Sequence, residues 1–195
     1  MIKRLFDIIV SLIGIIILSP FLILIALLVV LDSRGGIFYK QVRVGRNMKE
    51  FKLFKFRTMF SDSDKKGLLT VGMRDNRITR MGYYLRKYKL DELPQLFNVL
   101  IGDMSMVGPR PEVAKYVAMY TDEQKKVLSI KPGITDYASI VYSNENELLA
   151  NAENPEDVYI NKIMPSKLKL NLKYIDEMGL GTDLGIIFKT IGKIF

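Results

Sequence analysis

The sequence predicts an α+β protein whose residues 1–33 form a membrane helix and whose residues 34–195 form one compact domain at the membrane surface. Three observations lead to this prediction. An uncharged apolar run lies near the N-terminus, two short strand-like segments follow it, and apolar residues recur at helical spacing in several later segments. A length of 195 residues suits one domain with an appendage.

The apolar run extends from Ile8 to Leu31 and would measure ~36 Å as a straight helix, against ~30 Å for the hydrocarbon core of a bilayer. Ser19 and Pro20 lie near its midpoint. Proline removes a backbone donor and clashes with the preceding turn, so we expect a bend there, with Ser19 bonding back to a freed carbonyl. Each arm of a bent helix would be about 18 Å long, enough to enter one leaflet.

Cations lie on both sides of this run, with Lys3 and Arg4 before it and Arg34 and Lys40 after it. The positive-inside rule favours keeping both ends in the cytoplasm. A re-entrant hairpin achieves this and a straight span does not, although prolines are common in spanning helices. The residues leave both topologies open, and the hairpin is our expectation.

Two strands are predicted next, over Ile37–Val44 and Phe51–Arg57, because both segments are rich in β-branched and aromatic residues. Gly45 to Asn47 suits the connection of a β-hairpin.

A helix is then expected from Ile78, and a second one from Asp91 to Gly102, with Asp91 as its N-cap. Thr121 with Gln124 fits a capping box ahead of a short helix.

Helix starts are also predicted at Asn154, which Pro155 follows, and at Pro165. The final segment is amphipathic, with its apolar residues on one helical face: Leu184, Ile187, Phe188, Ile191 and Phe195. This helix either packs on the core of the domain or lies in the headgroup layer, and the pattern suits both.

The composition limits the chemistry, because the chain contains no His and no Cys. A Cys nucleophile, a Ser-His pair, a disulfide and the usual zinc site are thereby excluded. Carboxylates, hydroxyls, Lys and carbonyls remain, and their hard oxygen atoms suit Mg²⁺. A net charge of +8 indicates anionic partners, which the charge alone leaves open between nucleic acid, lipid headgroups and phosphorylated small molecules.

Every arginine precedes residue 111, and arginine suits bidentate phosphate recognition, so phosphate handling is expected in the first part of the chain. The candidate cluster there combines Arg86, Asp91 and Glu92 with Arg110 in the loop Gly108–Pro111. Asp91 is a plain helix cap on one interpretation and a catalytic carboxylate on another. A helix N-terminus also favours phosphate, so the two roles are compatible.

The motifs of this chain resemble those of the monotopic bacterial phosphoglycosyl transferases, which transfer sugar phosphates to polyprenyl phosphate. The similarity covers nearly the whole chain in family order, and its most specific part is the unbroken run Leu90–Leu96. The other matching segments are Lys3-Arg4, Phe6-Asp7, Ser19-Pro20, Phe38, Gln41, Arg43, Gly45, Lys55–Met59, Arg77, Thr79, Gly82, Leu85-Arg86, Asn98–Leu100, Gly102–Ser105, Val107–Pro111 and Pro132–Thr135.

The resemblance implies that Asp91 attacks the β-phosphorus of a UDP-sugar, with Mg²⁺ beside Asp91 neutralising the diphosphate. An aspartyl phosphosugar forms, UMP leaves, and polyprenyl phosphate then takes the sugar phosphate. Glu92 would assist, either beside the metal or as a base. The implied phosphate-binding residues are Lys55, Arg57, Arg86 and Arg110.

The expected location is the cytoplasmic face of the bacterial inner membrane, with membrane lipid as a further partner, no nucleic acid, and downstream glycosyltransferases next in the pathway. We also expect a minimal form without the additional N-terminal spanning helices of larger members. The chain departs from the common family pattern Gly-Trp-Ala-Gln-Val-Asn-Gly after Thr135, where Asp136–Val141 follow. Two alternatives remain open: a membrane-tethered basic module without catalysis, and a membrane-bound hydrolase of nucleotide-sugars.

Overall fold

The structure is a computed structural model that describes residues 2–61, 63 and 75–194. The helices and strands are α1 Ile2–Asp32, β1 Phe38–Val44, β2 Glu50–Phe56, α2 Arg80–Lys87, α3 Gln95–Ile101, β3 Ser105–Val107, α4 Ala114–Val117, β4 Gly133–Thr135, α5 Tyr137–Val141, α6 Glu145–Ala150, α7 Pro155–Val158, α8 Met164–Glu177 and α9 Leu180–Ile194. Short 3-10 turns cover Arg46–Met48, Leu90–Glu92 and Gln124–Ser129, and a π-helical turn covers Tyr159–Ile163. The predicted mixture of helices and sheets is confirmed.

The predicted hairpin is confirmed, with β1 and β2 antiparallel and Phe38 opposite Phe56. Its connection is the 3-10 turn Arg46–Met48, in which Asn47 has a positive φ of 55°. Beyond the hairpin, the backbone N–H of Val44 donates to the carbonyl of Glu112 at 2.8 Å. This bond brings the chain after the loop Gly108–Pro111 alongside the hairpin.

A second, parallel pair joins β3 to β4 and fixes the shape of the same loop. The backbones of Gly108 and Gly133 approach so closely that a Cβ atom on Gly133 would lie 2.1 Å from the nitrogen of Gly108. Only glycine fits at such an approach. The strand pair therefore holds Gly108–Pro111 against the segment that begins at β4.

The N-terminal end of α1 is fastened to the domain by charged side chains. Lys3 Nζ lies 2.5 Å from the buried carboxylate of Asp183 in α9. Arg4 donates to the carbonyls of Val99 at 2.5 Å and Leu100 at 2.9 Å, at the C-terminal end of α3. Asp7, buried within α1, accepts bonds from β3.

The C-terminal end of α1 is fastened to the same domain. Asp32 Oδ2 accepts from the backbone N–H of Met81 at 3.0 Å. Leu22, Ile25 and Val29 are buried in an apolar cluster with Phe56 of β2 and Leu85 of α2. Both ends of the helix therefore contact one domain.

The opposite face of α1 is apolar and exposed, with side chains such as Ile16, Ile17 and Ile23 at 62%, 69% and 70% exposure. Of the most apolar 18-residue window, 17% is buried, and the helix is long and apolar enough to cross a membrane. Pro20 lies inside one helical element, and Ser19 Oγ donates to the carbonyl of Ile16 at 2.8 Å, as expected. The re-entrant hairpin stays a prediction.

The largest apolar core lies away from α1, where α4, α8 and the 3-10 turn Gln124–Ser129 meet. The capping box that precedes this turn is confirmed by reciprocal bonds between Thr121 and Gln124, at 2.9 and 3.2 Å. Asn154 caps α7 through the backbone N–H of Asp157, with Pro155 in the first turn, as predicted. Pro165 lies in the first turn of α8, where the sequence places it.

The C-terminal helix α9 packs on the core through Ile186, which is 1% exposed beside Tyr174 of α8. Of the predicted apolar face, Ile187 is partly buried against this core, whereas Phe188 and Ile191 are 69% and 50% exposed. Packing on the core is therefore confirmed for one face, whereas a position of the exposed apolar residues in the headgroup layer stays a prediction. Phe195 lies outside the described residues.

Candidate active site

The candidate carboxylates lie on the 3-10 turn Leu90–Glu92, between α2 and α3. The prediction that Asp91 is an N-cap is wrong. Lys89 takes that position in the left-handed conformation, with φ 57° and ψ 19°, and Asp91 lies inside the turn. The regular helix begins at Gln95 because Pro94, which has no N–H, cannot continue a helical ladder in front of it.

The carboxylate of Asp91 is buried, and no residue that the structure describes pairs with it. Asp91 is 6% exposed, and no hydrogen bond or ion pair from the described residues ends on its side chain. Burial raises the pKa of Asp91, and the neighbouring charge of Glu92 adds to the rise, while Lys55 and Arg86 oppose it. Such a carboxylate is poorly solvated and available to a ligand.

Glu92, in contrast, is fully engaged. Lys55 Nζ of β2 lies 2.8 Å from its Oε1, and Arg110 holds both of its oxygens, with 3.1 Å from Nη1 to Oε2. Burial alone would raise the pKa of Glu92, but the charges of Arg110 and Lys55 hold it well below the usual range. Glu92 therefore remains ionised at neutral pH and ties the hairpin to the loop Gly108–Pro111.

Arg110 is positioned by that loop and by Asp136. Its backbone N–H donates to Asp136 Oδ2 at 3.2 Å, while Asp136 Oδ1 accepts from the N–H of Ser139 at 2.6 Å. Asp136 is fully buried. The departure from the family pattern thus begins at a side chain that contacts the candidate site, which the sequence alone did not indicate.

Arg86 belongs to the cluster around Asp91 and Glu92, whereas Arg57 does not. Arg86 acts electrostatically on Asp91, and its buried Nε has no hydrogen-bond partner among the described residues. Arg57 instead donates to the carbonyls of Val29, Ser33, Arg34 and Gly36 and to the hydroxyl of Ser33. These bonds close the C-terminal end of α1, where orphan carbonyls need donors.

Sequence reasoning also missed Lys89, which directly precedes this turn, and Gln95, which follows it. Lys89 lies close enough for Glu92 and Asp91 to act on it, although burial has the larger effect and lowers its pKa. Gln95, the first residue of α3, is 1% exposed, and its amide nitrogen has no partner among the described residues. The local sequence predicts neither the left-handed backbone of Lys89 nor the unsatisfied amide of Gln95.

The donor set bears on the predicted Mg²⁺. Among the described residues, no group of three or more acidic side chains could enclose a metal ion. Lys55 and Arg110 pair with the carboxylate of Glu92. Of the two carboxylates in the turn, Asp91 is therefore the one whose oxygens no described residue occupies. This set fits an ion that arrives on the substrate's phosphates and takes one protein carboxylate, which is how Mg²⁺ is commonly bound.

The site therefore combines a buried carboxylate with nearby cations, on a domain that contacts both ends of a long apolar helix. A family model described as bacterial sugar transferase matches residues 1–195, and the chain belongs to this family. The resemblance stated from the motifs, and with it the prediction of a transferase, is confirmed at the level of the family.

Three relatives illustrate the similarity. A UDP-N-acetylgalactosamine-undecaprenyl-phosphate N-acetylgalactosaminephosphotransferase of Aeromonas hydrophila is 36% identical over 99% of this chain and 43% of its own length. An undecaprenyl-phosphate glucose phosphotransferase of Komagataeibacter xylinus is 37% identical over 98% of this chain and 35% of its own length. An exopolysaccharide production protein of Rhizobium leguminosarum bv. phaseoli is 37% identical over 97% of this chain and 92% of its own length. The chain spans less than half of the first two.

Proposed function

We propose that the chain transfers a sugar phosphate from a UDP-sugar to a polyprenyl phosphate such as undecaprenyl phosphate, through a covalent intermediate on Asp91. The observation that carries the proposal is the buried carboxylate of Asp91, which pairs with no side chain of the described residues although the charges of Lys55, Arg86 and Lys89 act on it. The names of two relatives, which act on undecaprenyl phosphate with N-acetylgalactosamine or glucose, support the reaction class.

In the first step, an oxygen of Asp91 attacks the β-phosphorus and the bridging bond to the α-phosphate breaks. UMP leaves with the electron pair of that bond, and an aspartyl phosphosugar remains. In the second step, an oxygen of polyprenyl phosphate attacks the same phosphorus. The carboxylate of Asp91 is released, and the product is a polyprenyl diphosphate sugar.

The cations around Asp91 serve this reaction through charge, because phosphoryl transfer depends on positioning and electrostatics. Arg86 has a donor to spare, and the side chain of Arg110 is 33% exposed while it pairs with Glu92. We assign Glu92 to holding Lys55 and Arg110 in place. Mg²⁺ beside Asp91 would neutralise part of the diphosphate charge.

The contacts of α1 support the predicted topology. A helix of 31 residues measures ~46 Å when straight, and both of its ends contact one domain. A helix that crossed the bilayer would separate these ends by the ~30 Å hydrocarbon core. We therefore propose that α1 enters the inner membrane from the cytoplasmic face and returns, which places Asp91 where a soluble donor meets a lipid acceptor.

The test is release of UMP by the full chain in nanodiscs. We expect repeated turnover of a UDP-sugar that requires both polyprenyl phosphate and Mg²⁺, at most one equivalent of UMP per chain without the acceptor, and loss of both in Asp91→Asn. Release that is unchanged in Asp91→Asn would refute the mechanism. Release over many turnovers without the lipid acceptor would favour a hydrolase, and salt-sensitive lipid binding without any release would favour a basic tether. A panel of UDP-sugars would identify the donor, since the two relatives named for their sugar use different ones.

A further inference from the structure

The carboxamide of Gln95 contains one of the buried side-chain atoms that have no hydrogen-bond partner among the described residues. Its residue is 1% exposed, and no described residue accepts a hydrogen bond from its amide nitrogen. Buried polar groups are almost always bonded, and an exception calls for an explanation such as a catalytic role or a missing ligand. An apolar residue of the same shape at this position would remove the free-energy penalty of burying an unsatisfied amide.

Gln95 lies four residues after Asp91 along the chain. Leu93 and Pro94 both have helical backbone angles, with φ and ψ of −54° and −35° and of −62° and −12°. The turn Leu90–Glu92 therefore runs into α3 without an extended segment, through backbone bonds that join residues three apart, such as Leu93 N–H to the carbonyl of Leu90. Only this short turn separates the buried carboxylate of Asp91 from the buried, unsatisfied amide of Gln95.

Arg86 supplies a second unsatisfied donor in the part of the fold that surrounds Asp91. Its Nε is buried without a partner, and its charge acts on Asp91. Lys55 and Arg110, in contrast, already have a carboxylate in Glu92. Two buried donors that no described residue satisfies, one four residues after Asp91 and one whose charge acts on Asp91, are available to an anionic oxygen that a ligand brings.

We infer that Gln95 is a catalytic residue that donates a hydrogen bond from Nε2 to a non-bridging oxygen of the phosphoryl group attacked by Asp91, with Arg86 as the second donor. The inference rests on the proposed function. No covalent bond to Gln95 is made or broken. Its neutral amide contributes a fixed dipole where negative charge develops. Because the amide does not titrate, this contact is independent of pH.

The experiment replaces Gln95 with methionine, which keeps the length of the side chain and removes its polar atoms. We expect kcat for UMP release to fall about 100-fold, as when one donor to a developing anion is deleted, with a smaller change in KM for the donor. The rate at which the Asp91 adduct forms in a single turnover should fall equally. The melting temperature should stay the same or rise, because a buried unsatisfied group is removed.

Asn98 is the matched control, since it is a buried amide on the same helix whose two ends are satisfied. Its Oδ1 accepts from the N–H of Phe54 at 2.9 Å, and its Nδ2 donates to the carbonyl of Lys52 at 2.8 Å. Asn98→Leu should lower the melting temperature, opposite in sign to Gln95→Met.

Two outcomes would overturn the inference. Full turnover in Gln95→Met would show that the amide does not contact the reacting group. A loss of stability as large as that of Asn98→Leu, or a failure to fold, would show that Gln95 has a structural partner. Both outcomes are separable from failure of the proposed function, in which the unsubstituted chain itself would release no UMP.

Discussion

Glu92 connects the hairpin to the loop Gly108–Pro111, and its replacement by glutamine tests that connection. The substitution keeps the shape and removes the charge that Lys55 and Arg110 share. Removing one partner of a buried pair costs about 3–5 kcal/mol. The side chain of Arg110 is 33% exposed, so we reduce this to about 2–3 kcal/mol.

For a chain of this length, a loss of about 2–3 kcal/mol corresponds to a fall in melting temperature of about 4–12 °C. The assay is thermal unfolding followed by circular dichroism in detergent at pH 7. Glu156→Gln is the control, because Glu156 also pairs closely with a lysine, Lys115, but at an exposed position. That control should leave the melting temperature unchanged.

The pH dependence has a definite sign. Because the folded-state pKa of Glu92 is lowered, its contribution to stability is fully present above the ordinary pKa of about 4.5 and is lost as pH falls through the folded value. The difference between the unsubstituted chain and Glu92→Gln should therefore shrink in acid. Equal melting temperatures at pH 7 would refute the view that Glu92 holds the site together.

Two further predictions concern the membrane segment and the loop. The chain has no cysteine, so Ile2→Cys and Lys40→Cys each introduce a single thiol; a membrane-impermeant reagent should label both from the same side, and labelling from opposite sides would restore a crossing helix. Asp136→Ala removes the acceptor that fixes the backbone of Arg110 and should raise KM for the UDP-sugar about 10-fold, whereas Asp136→Asn, which keeps one acceptor, should recover part of that loss. Unchanged steady-state kinetics in Asp136→Ala would contradict this assignment.

The elements whose causes are local could be predicted from the sequence. The hairpin follows from two β-rich segments, and the starts at Thr121 and Asn154 follow from side chains that bond three residues onward. The local pattern also gave one wrong prediction. Asp91 has the residue type of an N-cap, but the left-handed Lys89 occupies the cap position and Asp91 lies inside the turn.

The arrangement of the site depends on contacts between distant segments, which the pattern does not contain. Lys55 reaches Glu92 from 37 positions away, and Asp136 reaches Arg110 from 26. Arg57 belongs to the motif Lys55–Met59, which the resemblance assigns to phosphate binding, yet its guanidinium donates to the carbonyls of Ser33 and Gly36 after the end of α1. The residue types of the site were therefore predictable, whereas the partner of each was not.

The attachment of α1 at both ends means that the anchor is also part of the folding core. Its buried face covers Phe56 and Leu85, and its charged start holds Asp183 of the last helix. Deleting this segment would expose the apolar side chains that it covers and would remove the cation that pairs with the buried Asp183, leaving that carboxylate bonded to Tyr174. Inserting a single residue would turn one end by about 100° relative to the other and break one set of contacts. The apolar helix and the domain that carries Asp91 therefore form one packing unit, and a change to either one alters the other.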